Sequence, residues 1–303
     1  MESQDLLSPK QVARALGVSE SSLKRWCDQG LIATVRTAGG HRKIQISEAL
    51  RFARAGNYPI VAPEVLELPA TTGASDAGLT RSRSLLREAL LDGNDSVAHQ
   101  VVFDLYLAGH SVSVICDQVI AGAFRDIGDR WACHEADVYQ ERRGCGIALR
   151  VLYELRRLQP QPSIEHLALG GTIQGDAYSL APTMAELVLR GSGWNAIFLG
   201  SSLPIPSLIK AIHENRPGLF WLSVSYVDPA VDFVSEFGEL SKICRDSGVA
   251  LAVGGRALTE DLRRQMVYST YCDTMQQLES FASTLIGQPV HSGSASGKPS
   301  ASR

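Results

Sequence analysis

Glycines at positions 17, 30, 39 and 40 punctuate the first 55 residues so closely that only short helices and one tight hairpin fit between them. Ser8-Pro9-Lys10-Gln11 opens a first helix, with Ser8 as cap, Pro9 at the first helical position and Gln11 reaching back as in a capping box. Val12, Ala13 and Leu16 give that helix an apolar face, and Gly17 allows the turn after it. Ser19 caps a second helix running to about Gln29, which Gly30 ends. Leu23 and Trp26 turn inward on it, leaving Ser21, Ser22, Lys24 and Arg25 outward. Two short helices joined by a tight turn make a helix-turn-helix, whose second helix reaches base edges and phosphates in a major groove.

Leu31-Ile32, Arg36 to Lys43 and Ile44-Gln45-Ile46 follow as a β-hairpin with Gly39-Gly40 at its tip. The glycines let main chain approach phosphate, and Arg36, His41, Arg42 and Lys43 supply cationic or protonatable groups beside them. Ser47 begins a third helix that packs the hairpin down. Charge agrees: residues 1–54 hold nine Lys/Arg against five Asp/Glu, a net of +4, so the rest of this chain of net charge −3 carries −7. A basic head on an acidic body points to a polyanion for the head alone.

Beyond the head, prolines 59, 63 and 69 and Gly73 mark residues 56–78 as a linker. Residues 79–160 carry helical periodicity without strand alternation, and residues 164–286 alternate short apolar runs with amphipathic stretches, the rhythm of a parallel α/β sheet. The Gly/Ser-rich stretch 287–303 reads as a disordered tail. No apolar run reaches the ~18 residues of a membrane span and no export signal is visible, so the six scattered cysteines read as reduced thiols of a cytoplasmic protein. Cys133-His134-Glu135 has no second Cys/His group at zinc-like spacing and reads as a solvated loop.

The run RWCDQGLI followed by RTAGGHRKI resembles the MerR family of transcriptional regulators in its excisionase-like variant, over residues 7–54. This implies an α winged helix-turn-helix binding double-stranded DNA. Trp131, followed ten residues on by Glu141-Arg142, resembles the Trp…Glu-His motif of cobalamin-dependent photoreceptor regulators of the CarH and LitR type. There the Trp covers the upper face of the corrin, in a helical bundle that caps a flavodoxin-like doubly wound parallel sheet. Leu167–Gly171, the loop to Ala181, the helix Thr183–Arg190 and the strand Ala196–Leu199 follow that order. Ser223 and Ser225, then Gly254-Gly255, match the strand ends that lie along the nucleotide tail of the cofactor in that family.

The family loop Asp/Glu-x-His-x-x-Gly, whose His ligates cobalt from below, is here Asp176-Ala177-Tyr178-Ser179-Leu180-Ala181. Asp176 matches, but Tyr178 stands at the His and Ala181 at the Gly, and Arg142 replaces the upper His. A phenol with pKa near ~10 is a poor substitute for imidazole at neutral pH. Three readings stay open: cobalamin held without histidine, another planar or nucleotide-like ligand, or an interaction scaffold with no small ligand and a regulatory protein partner. The expectation is a multidomain, non-enzymatic regulator whose residues 79–286 assemble it into a dimer or tetramer. The alternative is a corrinoid-binding component of a methyltransferase system.

Overall fold

In the computed structural model the chain is described over residues 6–37, 39–56, 58–66, 78–133, 136–160, 165–229 and 232–286. Ala38, His134, Glu135 and the tail 287–303 lie outside the described residues. So the tail expectation, and the loop reading at His134-Glu135, fall outside them too.

The head begins with β1 (Leu6–Leu7), α1 (Pro9–Ala15) and α2 (Glu20–Asp28). Ser8 and Gln11 close the expected capping box, and the Ser19 hydroxyl accepts from the Ser22 N–H at 3.1 Å. Such caps are worth about 1 kcal/mol each. β2 (Val35–Arg36) and β3 (Arg42–Gln45) pair antiparallel, β1 pairs on the far side of β3, and α3 (Ile46–Ala55) follows directly. Leu16, Leu23, Ile32, Ile44 and Leu50 are all buried between these pieces. Trp26, Phe52 and Tyr58 close the edge of that core, with ring centroids 5.0–5.3 Å apart.

The linker expected over 56–78 differs in its first half. Pro63–Leu66 form a 3₁₀ turn with Leu66 buried, and the Val61 N–H bonds the Ala15 carbonyl at 2.8 Å. The prolines exclude a long helix but suit a single tight turn, so this stretch packs on α1 as part of the head.

The helical unit comprises α4 (Leu79–Asp92), α5 (Asp95–Leu107), α6 (Val112–Val114), a π-helical segment (Ile115–Ile120), α7 (Ala121–Ala132) and α8 (Val138–Leu158). Its core, from Leu86 and Leu90 through Ile115, Val119 and Ile127 to Leu152 and Leu155, is continuous with that of the head. Arg54, at the end of α3, donates to the carbonyls of Tyr106 (2.8 Å) and His110 (2.9 Å) just past α5, and its guanidinium stacks on the Tyr106 ring.

The sheet unit runs β4 (Leu167–Thr172), α9 (Leu180–Gly191), β5 (Asn195–Phe198), α10 (Ile205–Asn215), β6 (Leu219–Ser223), α11 (Phe233–Asp246), β7 (Ala250–Gly254), α12 (Glu260–Arg263), β8 (Thr270–Tyr271) and α13 (Met275–Ile286). The five strands are parallel in the order β5-β4-β6-β7-β8, a doubly wound topology. Helices α10 and α11 cover one face through Leu208, Ile212, Phe237 and Leu240, while α9 and α13 cover the other through Ala185, Leu189, Leu278 and Ala282. Both faces are dry, which is why the central strands LFWLS and ALAVG are nearly unbroken apolar runs. Ala181 and Pro182 belong to the first turn of α9 rather than to the preceding loop, which ends at Ser179. Among the described residues, no helix is long and apolar enough to cross a membrane.

Candidate functional site

On the head, the Ser19 cap sets the rotation of α2. Leu23 and Cys27 go into the core, and Ser21, Lys24 and Arg25 stay exposed with Ser22 half-buried. Lys24 forms an i,i+4 pair with Glu20 at 2.8 Å, which solvent screens and a phosphate can displace. The hairpin turns at Gly40, whose φ of 77° favours glycine, and Gly39, Gly40 and His41 are exposed at its tip beside Arg36. Lys24, Thr37, His41, Arg42 and Lys43 share a groove of about 480 Å³ with Ser8 and Pro9. α2 and the hairpin thus present one basic face.

Arg42, in the same groove, also makes a contact within the head. Its guanidinium bonds Asp28 at the end of α2 at 2.7 Å, and that hydrogen bond raises its already high pKa. Arg42 therefore ties the hairpin to α2, while Arg36 and His41 are exposed and Lys43 is half-buried.

On the body, the expected ligand residues separate into two groups. Ser223, Gly254 and Gly255 line a cavity of about 540 Å³ between the sheet and the helical unit. Trp131, Glu141, Arg142, Asp176, Tyr178 and Ser225 do not line it. The cavity is walled by Ala181, Met184 and Ala185 of α9, by the ends of β6 and β7, by Cys272–Leu278, and by residues of α4, the π-helical segment and α7. Its size falls within the usual ~300–1,000 Å³ of small-molecule sites. The floor is Trp221, which points to the same face of β6 as Ser223 two residues on. Gly170, its neighbour on β4, makes room for the indole: a Cβ there would lie 2.0 Å from the ring. Gly255 is equally obligatory, since a Cβ would sit 2.2 Å from the Val224 carbonyl oxygen.

The two units join around this cavity. The Asp117 carboxylate, in the π-helical segment, accepts from the first N–H groups of α13, Met275 at 2.8 Å and Gln276 at 3.0 Å. That arrangement satisfies donors a helix start leaves unpaired. Arg83 clasps Asp126 with two bonds, which hold the Asp126 carboxyl below the usual carboxylate range. Behind the cavity, Arg156 of α8 reaches the buried Glu186 of α9 at 3.1 Å, and burial pushes the Glu186 carboxyl up.

At the position matching the cobalt-ligating His, the Tyr178 ring lies against two guanidiniums, Arg142 of α8 at 5.4 Å and Arg256 after β7 at 5.1 Å. Through this contact Arg142 bridges the two units. Asp176, fully buried, accepts from the N–H groups of Tyr178 (3.1 Å), Ser225 (2.6 Å) and Tyr226 (3.3 Å). A carboxylate so engaged holds the loop to the end of β6 instead of orienting an imidazole. The donor set below the expected corrin plane therefore does not fit cobalt. Among the described residues, no group of three His, Cys, Asp or Glu can hold a metal ion. Trp131 is half-exposed on α7 and is no core aromatic.

Comparison with known proteins follows this division. Residues 6–56 match the family model of a helix-turn-helix domain, and residues 83–155 that of a B12 binding domain. A helix-turn-helix head is joined to a body of the B12-binding type. Among curated proteins, the trimethylamine corrinoid protein of Methanosarcina barkeri is 22% identical over 180 residues, covering 58% of this chain and 82% of its own length. Trimethylamine corrinoid protein 1 of Methanosarcina mazei is 20% identical over 182 residues, 58% of this chain and 83% of its own. Among solved structures, the Methanosarcina barkeri monomethylamine corrinoid protein superposes with a TM-score of 0.54 at 14% identity, covering 68% of this chain and 99% of that one. That likeness shows a shared fold.

Sequence reasoning missed Trp221, Arg256, Asp117 and Arg125. Trp221 had a signal: a large aromatic in a strand that ends in small residues, two positions before Ser223. Asp117 acts across units, Arg256 meets a ring 78 positions earlier in the chain, and Arg125 stands in the cavity wall, so none of the three leaves a local pattern.

Proposed function

We propose that this chain is a cytoplasmic DNA-binding transcriptional regulator of MerR type, whose B12-binding-type body controls its self-association and through it operator binding. The observation that carries this is the groove that Lys24 of α2 shares with His41, Arg42 and Lys43 of the hairpin, with Ser21 and Arg25 also exposed on α2. Serine and arginine on α2 are suited to base edges, while Arg36 and Lys43 on the hairpin are suited to phosphate. One such head buries too little DNA for tight binding alone. Among the described residues, no long dimerisation helix follows the hairpin before residue 79, since α3 ends at Ala55, so assembly into a dimer or tetramer falls in this reading to residues 79–286. The helical unit acts in this reading as a cap over the sheet, with the hairpin as a wing on the DNA backbone.

The second reading, a corrinoid carrier of a methyltransferase system, is favoured by the names of the relatives, which are trimethylamine corrinoid proteins. Tyr178 between two arginines argues against it, because methyl carriage on cobalt calls for a donor this loop does not offer. We therefore read the chain as a non-enzymatic regulator. Selection from a random double-stranded DNA pool with the full chain tests it. Enrichment of a motif in two or more copies is expected; a pool that stays random after repeated rounds would contradict it.

A further inference from the structure

Two guanidiniums meet the ring of Tyr178, one from each unit of the body. Arg142 comes from α8 and Arg256 from the turn after β7, with their guanidinium carbons 5.4 Å and 5.1 Å from the ring centre. None of the three residues lines the cavity between the units. Arg142 and Arg256 are exposed and Tyr178 is half-buried. Two guanidiniums this near one ring stand within about a Debye length of each other, so they repel. Cation–π contacts at exposed positions are weak, and the ring alone does not account for two like charges at one spot.

The body is acidic, and its arginines mostly find acids. Arg83, Arg87, Arg130, Arg150, Arg156 and Arg264 each reach a carboxylate. Among the described residues, Arg142 and Arg256 are in no such pair. Asp176, two positions before Tyr178, is buried and spends its oxygens on three main-chain N–H groups. Glu141 precedes Arg142 on α8, and successive helix positions do not face each other. Two cations from two units thus converge where the described protein sets no acid against them.

We propose that Arg142 and Arg256 together bind a small diphosphate-bearing anion, which joins α8 to the sheet beside the Tyr178 loop. Guanidinium forks match phosphate oxygens in pairs, and two forks call for at least two charges and oxygens enough for both. A diphosphate offers this and a single carboxylate does not. Both side chains can swing to such an anion, since both are exposed. The anion has two sources, free inorganic diphosphate or the end of a nucleoside diphosphate. The proposal rests on reading the body as the part of a regulator that answers a signal, and gives that signal a chemical class and a place apart from the cavity. Binding draws the helical unit and the sheet together, and the helical unit holds the head through Arg54.

The test is calorimetric titration of the full chain, without DNA, with sodium diphosphate, ADP and sodium sulfate. Saturable binding of diphosphate or ADP is expected at one per chain, with sulfate at least roughly tenfold weaker. Diphosphate binding as tightly as ADP would name the free anion as the source, and ADP binding at least roughly tenfold tighter would name the nucleotide. Arg142→Gln and Arg256→Gln should each weaken the bound probe by roughly tenfold and reduce its salt dependence, while melting with wild type. Lys43→Ala, on the head, should leave the affinity unchanged, which separates this site from the basic groove. Sulfate as tight as diphosphate and ADP, unchanged binding in either arginine variant, loss of binding in Lys43→Ala, or no saturable binding of any probe would overturn the proposal. A chain that ignores all three probes yet selects a DNA motif would overturn this inference alone and leave the regulator standing.

Discussion

Asp176 and Tyr178, two residues apart in one loop, stand at positions of the same family motif, yet the structure gives them separate work. The Tyr178 ring meets the guanidiniums of Arg142 and Arg256, whereas Asp176 pins the loop to the Ser225-Tyr226 backbone. An acid at 176 without an imidazole at 178 has this structural use of its own, since a buried carboxylate accepting three main-chain N–H groups is hard to remove. Asp176→Ala leaves those donors unpaired at about 1–3 kcal/mol for each that water cannot reach. We expect a loss of at least ~2 kcal/mol in denaturant unfolding of the full chain; a midpoint shift near zero would mean that water replaces the carboxylate. Arg42 makes a similar point. Its position in RTAGGHRKI places it on the hairpin, but whether a hairpin arginine faces DNA or the helix behind it depends on Asp28, fourteen residues earlier in the chain.

At the scale of elements, the short helices of the head were legible because their caps and turns are local: Ser8, Gln11, Gly17, Ser19 and Gly30 each act within four residues. The strands β4, β6 and β7 were legible because parallel strands buried on both faces are continuous apolar runs, whereas β5 is an edge strand that leaves Ile197 exposed. β8 has only two residues and no such run, and Pro63–Leu66 reads as linker until Ala15 is seen to accept its neighbour's N–H. The cavity was half legible. Ser223, Gly254 and Gly255 stand at strand ends in sequence, but the helical wall opposite comes from residues 79–125, about a hundred positions away. The contact between α3 and the end of α5 belongs to the same class of non-local device. Arg54 alone supplies its two short hydrogen bonds and a cation–π contact, the latter worth about 0.5–2 kcal/mol. Arg54→Ala should free the head from the helical unit and enlarge the radius of gyration seen by small-angle scattering. An unchanged scattering curve would assign the docking to the shared apolar core instead.

Across the whole molecule, a basic head and an acidic body share one continuous core through the helical unit, which also forms one wall of the cavity. The path from the cavity to the basic groove of the head is thus short in structural terms. Asp117 and Arg142 tie the helical unit to the sheet, and Arg54 ties it to the head. A ligand that shifts the sheet against the helices would be felt at α3. All of this depends on the head binding DNA through the face formed by α2 and the hairpin. The most direct test is the salt dependence of affinity for a selected site, measured for the full chain and for Lys43→Ala and Arg25→Ala. The account predicts a steep fall of log affinity with log salt for wild type. Lys43→Ala should reduce that slope by about 1 with sequence preference kept, and Arg25→Ala should relax the preference. Affinity that is insensitive to salt, or left unchanged by both substitutions, would contradict it.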